Sequence, residues 1–283
     1  MDEWILDRSK MIHDTAGREV RVLEEASAAE GAGVFGCGIR AIHKAALKAG
    51  ICPLRYVRNR EAISMEEQLK LVTSRVAVVG SGGLGGPVLL LLARMGIGSL
   101  VVVDPDRFDE TNLNRQALSS VPDLGQPKSE VAARIIENVN PGVEVRVHQN
   151  RMDGTNAEKI LSGSNVIVDA LDNVPDRFTL QAAARSLKIP LVHGAVAGFE
   201  GQLMTIFPED SGFSLLYGTG KMERHSENSP EALLGVPAVT PSLLATLQAM
   251  EVIKILLNRG RPFRNAMMHV DLETGEMNRF SFE

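Results

Sequence analysis

Arg115 and Lys128 follow the apolar run Leu100-Val101-Val102-Val103, which ends at Asp104; Asp172 and Asn173 follow the run Val166-Ile167-Val168, which ends at Asp169. Two fixed cations and a carboxylate placed at strand ends suit a triphosphate undergoing reaction. Charge builds on the phosphoryl oxygens of such a group and must be offset by positioned cations. A strand-end carboxylate can hold a magnesium ion that takes most of its ligands from phosphate and water. Pro127 suits the first turn of a helix, which sets Lys128 at that helix's N-terminal end. Taken singly, Arg115 and Lys128 fit a solvated surface pair, and Asp172 with Asn173 fits an N-cap ahead of Pro175. Their joint placement at strand ends on one sheet edge favours the binding reading.

The grip for such a ligand lies upstream. Val76-Ala77-Val78-Val79 runs into Gly80-Ser81-Gly82-Gly83-Leu84-Gly85-Gly86, and Val88-Leu89-Leu90-Leu91-Leu92-Ala93 continues as an apolar helix. Gly80 allows the tight turn, Gly82 lets a phosphate approach the backbone, and Gly85 lets the helix pack close to the strand. The helix N-terminus adds unpaired N–H groups and a positive dipole end. Asp104, nineteen residues past Gly85, is placed for a ribose hydroxyl. A ligand-free glycine turn would not need the strand, helix and acid that surround this one. The loop itself leaves the identity of the nucleotide open.

These residues require a sheet that presents its strand ends on one edge. Residues 127–139 predict a helix with Val131, Ala132, Ile135, Ile136 and Val139 on one face. Val143, Val145 and Val147 alternate as a strand, residues 177–187 form a helix, and Pro190-Leu191-Val192-His193-Gly194 and residues 202–207 give further strands. The alternation predicts an α/β fold: a Rossmann-like, mostly parallel sheet with helices on both faces. Residues 208–241 form a long polar crossover loop, a length that usually carries function. An apolar helix at 241–257 and closing strands near 267–270 and 279–282 complete the chain. Residues 1–53 are expected to be a peripheral helical extension in which Gly31, Gly33, Gly36 and Gly38 break regularity, with a flexible connector around Cys37 and His43 at the surface or packed rather than a ligand. Residues 54–283 form the nucleotide-handling domain.

Composition bounds the class. The chain has 283 residues, 44% of them hydrophobic but only 4% aromatic, which suits an aliphatic core of buried parallel strands. A net charge of −5 argues against nucleic acid as the main partner and leaves room for a small basic protein. No apolar run is read as reaching the ~18 residues of a membrane span, and Met1-Asp2-Glu3-Trp4 lacks a signal-peptide layout. Cys37 and Cys52 are too few for a disulfide framework or a four-cysteine zinc site. A cytoplasmic protein is the expectation.

The motifs together resemble the MoeB/ThiF/HesA family, bacterial relatives of ubiquitin-activating enzymes. The matching pieces are Arg55-Tyr56-Val57-Arg58, the Gly80–Gly85 loop, Asp104-Pro105-Asp106, Asn112-Leu113-Asn114-Arg115-Gln116, Gly125-Gln126-Pro127-Lys128, Asp169-Ala170-Leu171-Asp172-Asn173, the stretch from Gly194 to Gln202, and the stretch from Leu247 to Lys254. They cover about residues 54–283 in the family's order. The resemblance implies Mg-ATP as cofactor and adenylation of the C-terminal glycine of a small ubiquitin-like sulfur carrier ending in Gly-Gly, for molybdenum or tungsten cofactor, thiamine or a similar product. It implies that Gly80, Gly82, Gly83 and Gly85 line the nucleotide and that Asp104 binds the ribose. Asp106 and Asn173 join the binding set. Asn112, Arg115, Gln116 and Lys128 hold the triphosphate, and Asp172 binds magnesium. Arg58 resembles the arginine that reaches the opposite subunit's ATP, which implies a homodimer; from sequence alone it is one of a basic cluster with Arg55 and Arg60.

The chain departs from the pattern at the zinc. Where many members place the first Cys-x-x-Cys pair, it reads Phe213-Ser214-Leu215-Leu216-Tyr217, and residues 208–283 contain no cysteine. No structural zinc is expected, nor a covalent sulfur step on the crossover loop. Leu215, Leu216 and Tyr217 are read as taking over the zinc's packing role. Three rivals stand beside adenylation of a carrier: an NAD-dependent oxidoreductase, which leaves Arg115, Lys128 and Asp172 idle; a non-catalytic relative that only holds ATP or carrier; and activation of a peptide or tRNA base.

Overall fold

The computed structural model describes residues 1–218 and 229–282. Its N-terminal unit contains strands as well as helices, which corrects the helical expectation: α1 (Asp2–Arg8), β1 (Lys10–His13), β2 (Glu19–Leu23), α2 (Glu25–Phe35), α3 (Ile39–Lys48) and β3 (Cys52–Pro53). The three strands form one sheet in the order β1-β2-β3. Val20 and Val22 are buried on β2 with period two, a pattern too short to stand out in sequence. Helix α2 also runs straight through Gly31 and Gly33. A Cβ at Gly31 would lie 2.7 Å from Trp4, so this glycine admits α1 instead of breaking α2. The break between α2 and α3 is confined to residues 36–38, where Gly36 takes the left-handed conformation (φ 60°) that ends α2. His43 is buried, the packed one of its two expected placements.

A 3-10 turn (Leu54–Asn59) leads to α4 (Met65–Thr73) and the main sheet. The sheet's first part comprises β4 (Arg75–Val79), α5 (Gly85–Met95), β5 (Ser99–Val103), α6 (Lys128–Val139), β6 (Glu144–His148), α7 (Ala157–Leu161), β7 (Val166–Asp169), α8 (Val174–Ser186) and β8 (Leu191–Ala197). These five strands are mutually parallel. Then follow β9 (Glu200–Ile206), α9 (Phe213–Tyr217), α10 (Pro230–Leu234), α11 (Val239–Leu257), β10 (Ala266–Asp271) and β11 (Glu276–Ser281), with β9, β10 and β11 antiparallel at one edge. Residues 208–241 are thus not one uninterrupted loop, because α9 and α10 fall within them; 219–228 lie outside the described residues.

The strand order is β11-β10-β9-β8-β7-β4-β5-β6. The chain leaves β4 toward β5 and β6 on one side and returns to β7 and β8 on the other. That reversal opens a crevice beyond the C-terminal end of β4, where α/β sheets bind ligands. Alternate residues of β4 feed two cores: Val76 and Val78 pack with α5, α6 and α11, while Ala77 and Val79 pack with α7 and α8. Burial on both faces explains why β4 and β5 are continuous apolar runs.

Helix α11 has 19 residues and, by length and composition, is apolar enough to cross a membrane. The sequence reading that no stretch reaches this length is corrected. Buried Leu244, Ala245, Ala249 and Val252 belong to the core cluster shared with α5 and the sheet, so about half of the helix is covered by protein, while Val239 and Met250 are exposed.

Candidate active site

The two ends of the glycine loop are set by the protein itself. Gly80 has φ 94°, and a Cβ there would lie 2.4 Å from the Ala170 carbonyl oxygen. At Gly85 a Cβ would fall 1.8 Å from the Gly80 carbonyl oxygen, so this glycine lets α5 sit against the loop; it does not line the cavity. The middle of the loop is different. A Cβ on Gly82 or Gly83 would meet nothing nearer than 3.4 Å and 3.6 Å respectively, an ordinary contact distance. No contact among the described residues requires glycine at 82 and 83. Both line the crevice, and the missing side chains leave a cradle for a ligand to approach the backbone.

That crevice is a cavity of about 390 Å³, within the range of small-molecule sites. Its wall collects Gly80, Gly82, Gly83, Asp104, Asp106, Arg115, Gln116, Lys128, Asp172 and Asn173. Residues from the ends of β4, β5 and β7 therefore converge as the strand-end reading requires.

Lys128 is 7% exposed, and among the described residues its Nζ has one carboxylate partner, Asp106 Oδ2 at 3.5 Å. A cation that buried with so distant a partner is poised for a further anion. Arg115 is fixed by its own loop: Nη1 donates to the Thr111 carbonyl at 2.9 Å and to Asn114 Oδ1 at 2.8 Å. Gln116 is buried, and its Oε1 has no hydrogen-bond partner among the described residues. A buried amide oxygen left unpaired costs about 1–3 kcal/mol, so a donor or cation from a ligand is favoured there. Asp104 Oδ2 accepts from Ser81 N (2.7 Å) and Ser81 Oγ (2.9 Å), and Oδ1 accepts from Asp106 N (2.9 Å). Burial raises its carboxyl pKa, opposed by those hydrogen bonds and by Lys128. The acid thus shapes the loop, and Oδ1 retains a lone pair for a ribose hydroxyl.

Asp172 is exposed into the cavity, and its Oδ1 accepts from Asn173 Nδ2 at 3.1 Å. Among the described residues no group of three or more His, Cys, Asp or Glu could enclose a metal. Magnesium does not need one, because one carboxylate plus substrate phosphates suffices. Asn173 also caps α8: its Oδ1 accepts from Asp176 N at 3.0 Å, and its Nδ2 donates to Asp176 Oδ2. Both readings of this residue, helix cap and cavity wall, hold together.

Two predicted residues stand elsewhere. Asn112 is not in the wall; its Oδ1 accepts from Asp109 N at 3.2 Å and closes a 3-10 turn, so its contribution is to hold the loop that carries Arg115 and Gln116. Arg58 lies exposed on the turn Leu54–Asn59, outside the cavity of its own chain. Sequence reasoning missed Arg177, Arg151 and Glu231, which line the cavity. Arg177 lies four residues past Asn173, on the first turns of α8, a spacing that could have drawn attention to it.

A second cavity of about 260 Å³ adjoins the first. The two share Asp172, Asn173, Arg177, Val196 and Glu231. The second continues past Ala195, Ala197 and Gly201 to Tyr217, Glu200 and His269, and His269 Nε2 lies 3.0 Å from Glu200 Oε2. In the segment beside it Phe213 is fully buried and Leu216 and Tyr217 pack partly buried against the same cluster, whereas Leu215 is 36% exposed. Phe213 meets the His193 ring edge-on, with centroids 4.9 Å apart.

A model of the ThiF family matches residues 56–283. The chain belongs to the ThiF family. It is 39% identical over 220 residues to a SAMP-activating enzyme E1 of Haloferax volcanii, covering 77% of this chain and 80% of that protein. It is 36% identical to a sulfur carrier protein adenylyltransferase of Thermus thermophilus over 74% of this chain and 79% of that one. With the adenylyltransferase and sulfurtransferase MOCS3 of Arabidopsis thaliana the identity is 31% over 98% of this chain, which spans 60% of that longer relative. Among solved structures, Escherichia coli MccB shares the fold at a TM-score of 0.68 and 22% identity, over 81% of this chain and 69% of that one. The ThiF match thus spans every element that builds the two cavities.

Proposed function

We propose that this protein activates the C-terminal glycine carboxylate of a small ubiquitin-like sulfur carrier by adenylation with ATP, within the biosynthesis of a sulfur-containing product such as molybdenum or tungsten cofactor or thiamine. The observation that carries this reading is the wall shared by the two cavities. A cradle for phosphates opens beside Asp172 and Arg177 into a channel flanked by Ala195, Ala197 and Gly201, narrow enough in side-chain bulk for an extended Gly-Gly tail. Relatives that are sulfur carrier protein adenylyltransferases and a SAMP-activating enzyme support it.

The chemistry asks little covalent work of the protein. A tail carboxylate oxygen forms a bond to the α-phosphorus, and the bond from that phosphorus to the bridging oxygen of pyrophosphate breaks. Lys128 and Arg115 offset phosphoryl charge, the backbone at Gly82 and Gly83 lets the triphosphate approach, and Asp104 orients the ribose. Magnesium, bound with the nucleotide, would offset further charge, and Asp172 is the residue to hold it. Arg58, exposed and outside its own cavity, is read as serving the cavity of a second copy, which makes the working species a homodimer. The absence of cysteine from residues 208–283 leaves sulfur delivery to another protein. Two free thiols, Cys37 and Cys52, suit a cytoplasmic setting.

ATP–pyrophosphate exchange tests the reading. Exchange is expected only with a carrier whose Gly-Gly end is intact, and truncation of the last glycine should abolish it. Hydride transfer from a nicotinamide, or no exchange with any Gly-Gly carrier, would refute the assignment.

A further inference from the structure

Asp169, His193, Tyr217 and Arg177 close a ring of polar side chains inside the protein. Asp169 and His193 are fully buried at the ends of β7 and on β8. His193 Nδ1 lies 2.7 Å from Asp169 Oδ2, and His193 Nε2 lies 3.2 Å from the Tyr217 hydroxyl. Arg177 Nη1 donates to the same hydroxyl at 2.9 Å, and Nη2 donates to the Leu171 carbonyl at 2.7 Å. Arg177 Nε stands 3.5 Å from Asp169 Oδ2, which closes the ring. Gln202 Nε2 adds a third contact to the hydroxyl at 3.0 Å.

Proton accounting fixes the roles. The hydroxyl accepts from Arg177 and Gln202, so its single hydrogen is free to be donated to His193 Nε2. His193 then carries its own hydrogen on Nδ1 and donates it to Asp169. Burial depresses the His193 pKa against the pull of Asp169, which keeps this ring neutral. Burial is the largest single influence on Arg177 and works against its charge, but Asp169 together with Tyr217, Glu231 and Asp172 outweighs it, and the guanidinium stays charged.

Arg177 is 3% exposed and belongs to the wall common to both cavities, whereas Tyr217 lines only the second. Its Nε makes only the 3.5 Å ion pair with Asp169 and no hydrogen bond, so among the described residues Tyr217 and Leu171 supply the hydrogen bonds that orient the fork. We propose that Tyr217 is a positioning residue for adenylation: its hydroxyl holds the Arg177 guanidinium at the junction where the carrier carboxylate meets the nucleotide. This rests on the adenylation reading above.

Tyr217→Phe keeps the ring that lies over Arg177 and beside Phe213 and removes only the hydroxyl. The hydroxyl's contacts to Arg177, Gln202 and His193 are all lost, and loss of the one that orients the charged guanidinium is expected to slow carrier-dependent pyrophosphate exchange about tenfold in kcat. KM for ATP should stay within about twofold, because the cradle and Lys128 are untouched. In an Arg177→Lys background, Tyr217→Phe is expected to cause no further loss, since lysine has no fork to orient. A lower melting temperature with unchanged kcat per folded molecule, or fully additive losses in the double variant, would overturn the proposal. Should Tyr217→Phe fail to fold, Arg177→Lys decides alone: wild-type turnover with the charge kept and the fork lost would show that orientation is immaterial. Absence of exchange in the wild type refutes adenylation itself and this proposal with it; exchange in the wild type that Tyr217→Phe leaves unchanged refutes only the positioning role.

Discussion

Replacing single glycines of the phosphate loop by alanine should separate folding from binding. At Gly83 the added methyl meets Pro241 Cβ at 3.6 Å and Arg115 Cγ at 3.8 Å, so the free protein accepts it. Stability should hold or rise by about 0.4–1 kcal/mol, because alanine restricts the unfolded chain. The nucleotide loses the space instead. Overpacking a filled site costs about 1–3 kcal/mol, which corresponds to ATP bound about 5- to 150-fold more weakly. Gly85→Ala reverses the pattern, since its methyl would fall 1.8 Å from the Gly80 carbonyl oxygen and must push α5 off the loop. Gly80→Ala combines a 2.4 Å approach to the Ala170 carbonyl with φ 94°, a backbone conformation that alone costs roughly 1–3 kcal/mol. Thermal unfolding of the free proteins followed by calorimetric titration with Mg-ATP reads both quantities. ATP affinity within twofold of wild type for Gly83→Ala, or wild-type stability for Gly85→Ala, would refute the division of the loop into structural ends and a ligand-facing centre.

Three further outcomes are expected. Lys128→Met removes a buried cation whose carboxylate partner among the described residues is 3.5 Å away; stability should hold or rise while pyrophosphate exchange falls by about two orders of magnitude, and the same loss is expected of Asp172→Ala with α8 still capped by Asn173. Mixed dimers of Arg58→Ala and Asp172→Ala chains should recover part of the exchange that neither variant shows alone, and confirmed mixed dimers without recovery would remove Arg58 from the neighbouring site. Burial, with a smaller effect from Arg55, lowers the His43 pKa from 6.5 to about 3. The unfolded chain then binds the extra proton first, so the stability from neutral His43 is complete above pH 6.5 and is lost as pH falls toward 3, at up to about 1.4 kcal/mol per pH unit. Chemical denaturation of His43→Gln across that window should show a shallower acid limb.

The strand–glycine loop–helix–strand unit was legible because its signals are local. Continuous apolar runs mark strands buried on both faces, and Gly80 and the strand-end Asp104 follow within a few residues. The pair β1 and β2 was missed because β1 is short and largely exposed, so little hydrophobic alternation betrays it. The long loop after Asp104 shows the limit inside the site: Asn112 and Gln116 are four residues apart and equally polar, yet one closes a turn and the other leaves an unpaired oxygen in the cavity. Asn173 was legible in both roles, since a cap is read from the residues that follow it.

By itself the sequence determined which residues could grip phosphate, that they stand at strand ends, and the family to which the motifs point. Only the tertiary structure decided that β4 lies between β5 and β7, which opens the crevice and turns three separate strand ends into one wall. It also joined Asp169, Arg177, His193 and Tyr217, spread over 49 positions, into a single ring. Periodicity and capping act over a few residues and can be read along the chain. Strand neighbours and buried polar partners are selected by which distant surfaces exclude water together, and that choice is made only when the whole sheet assembles.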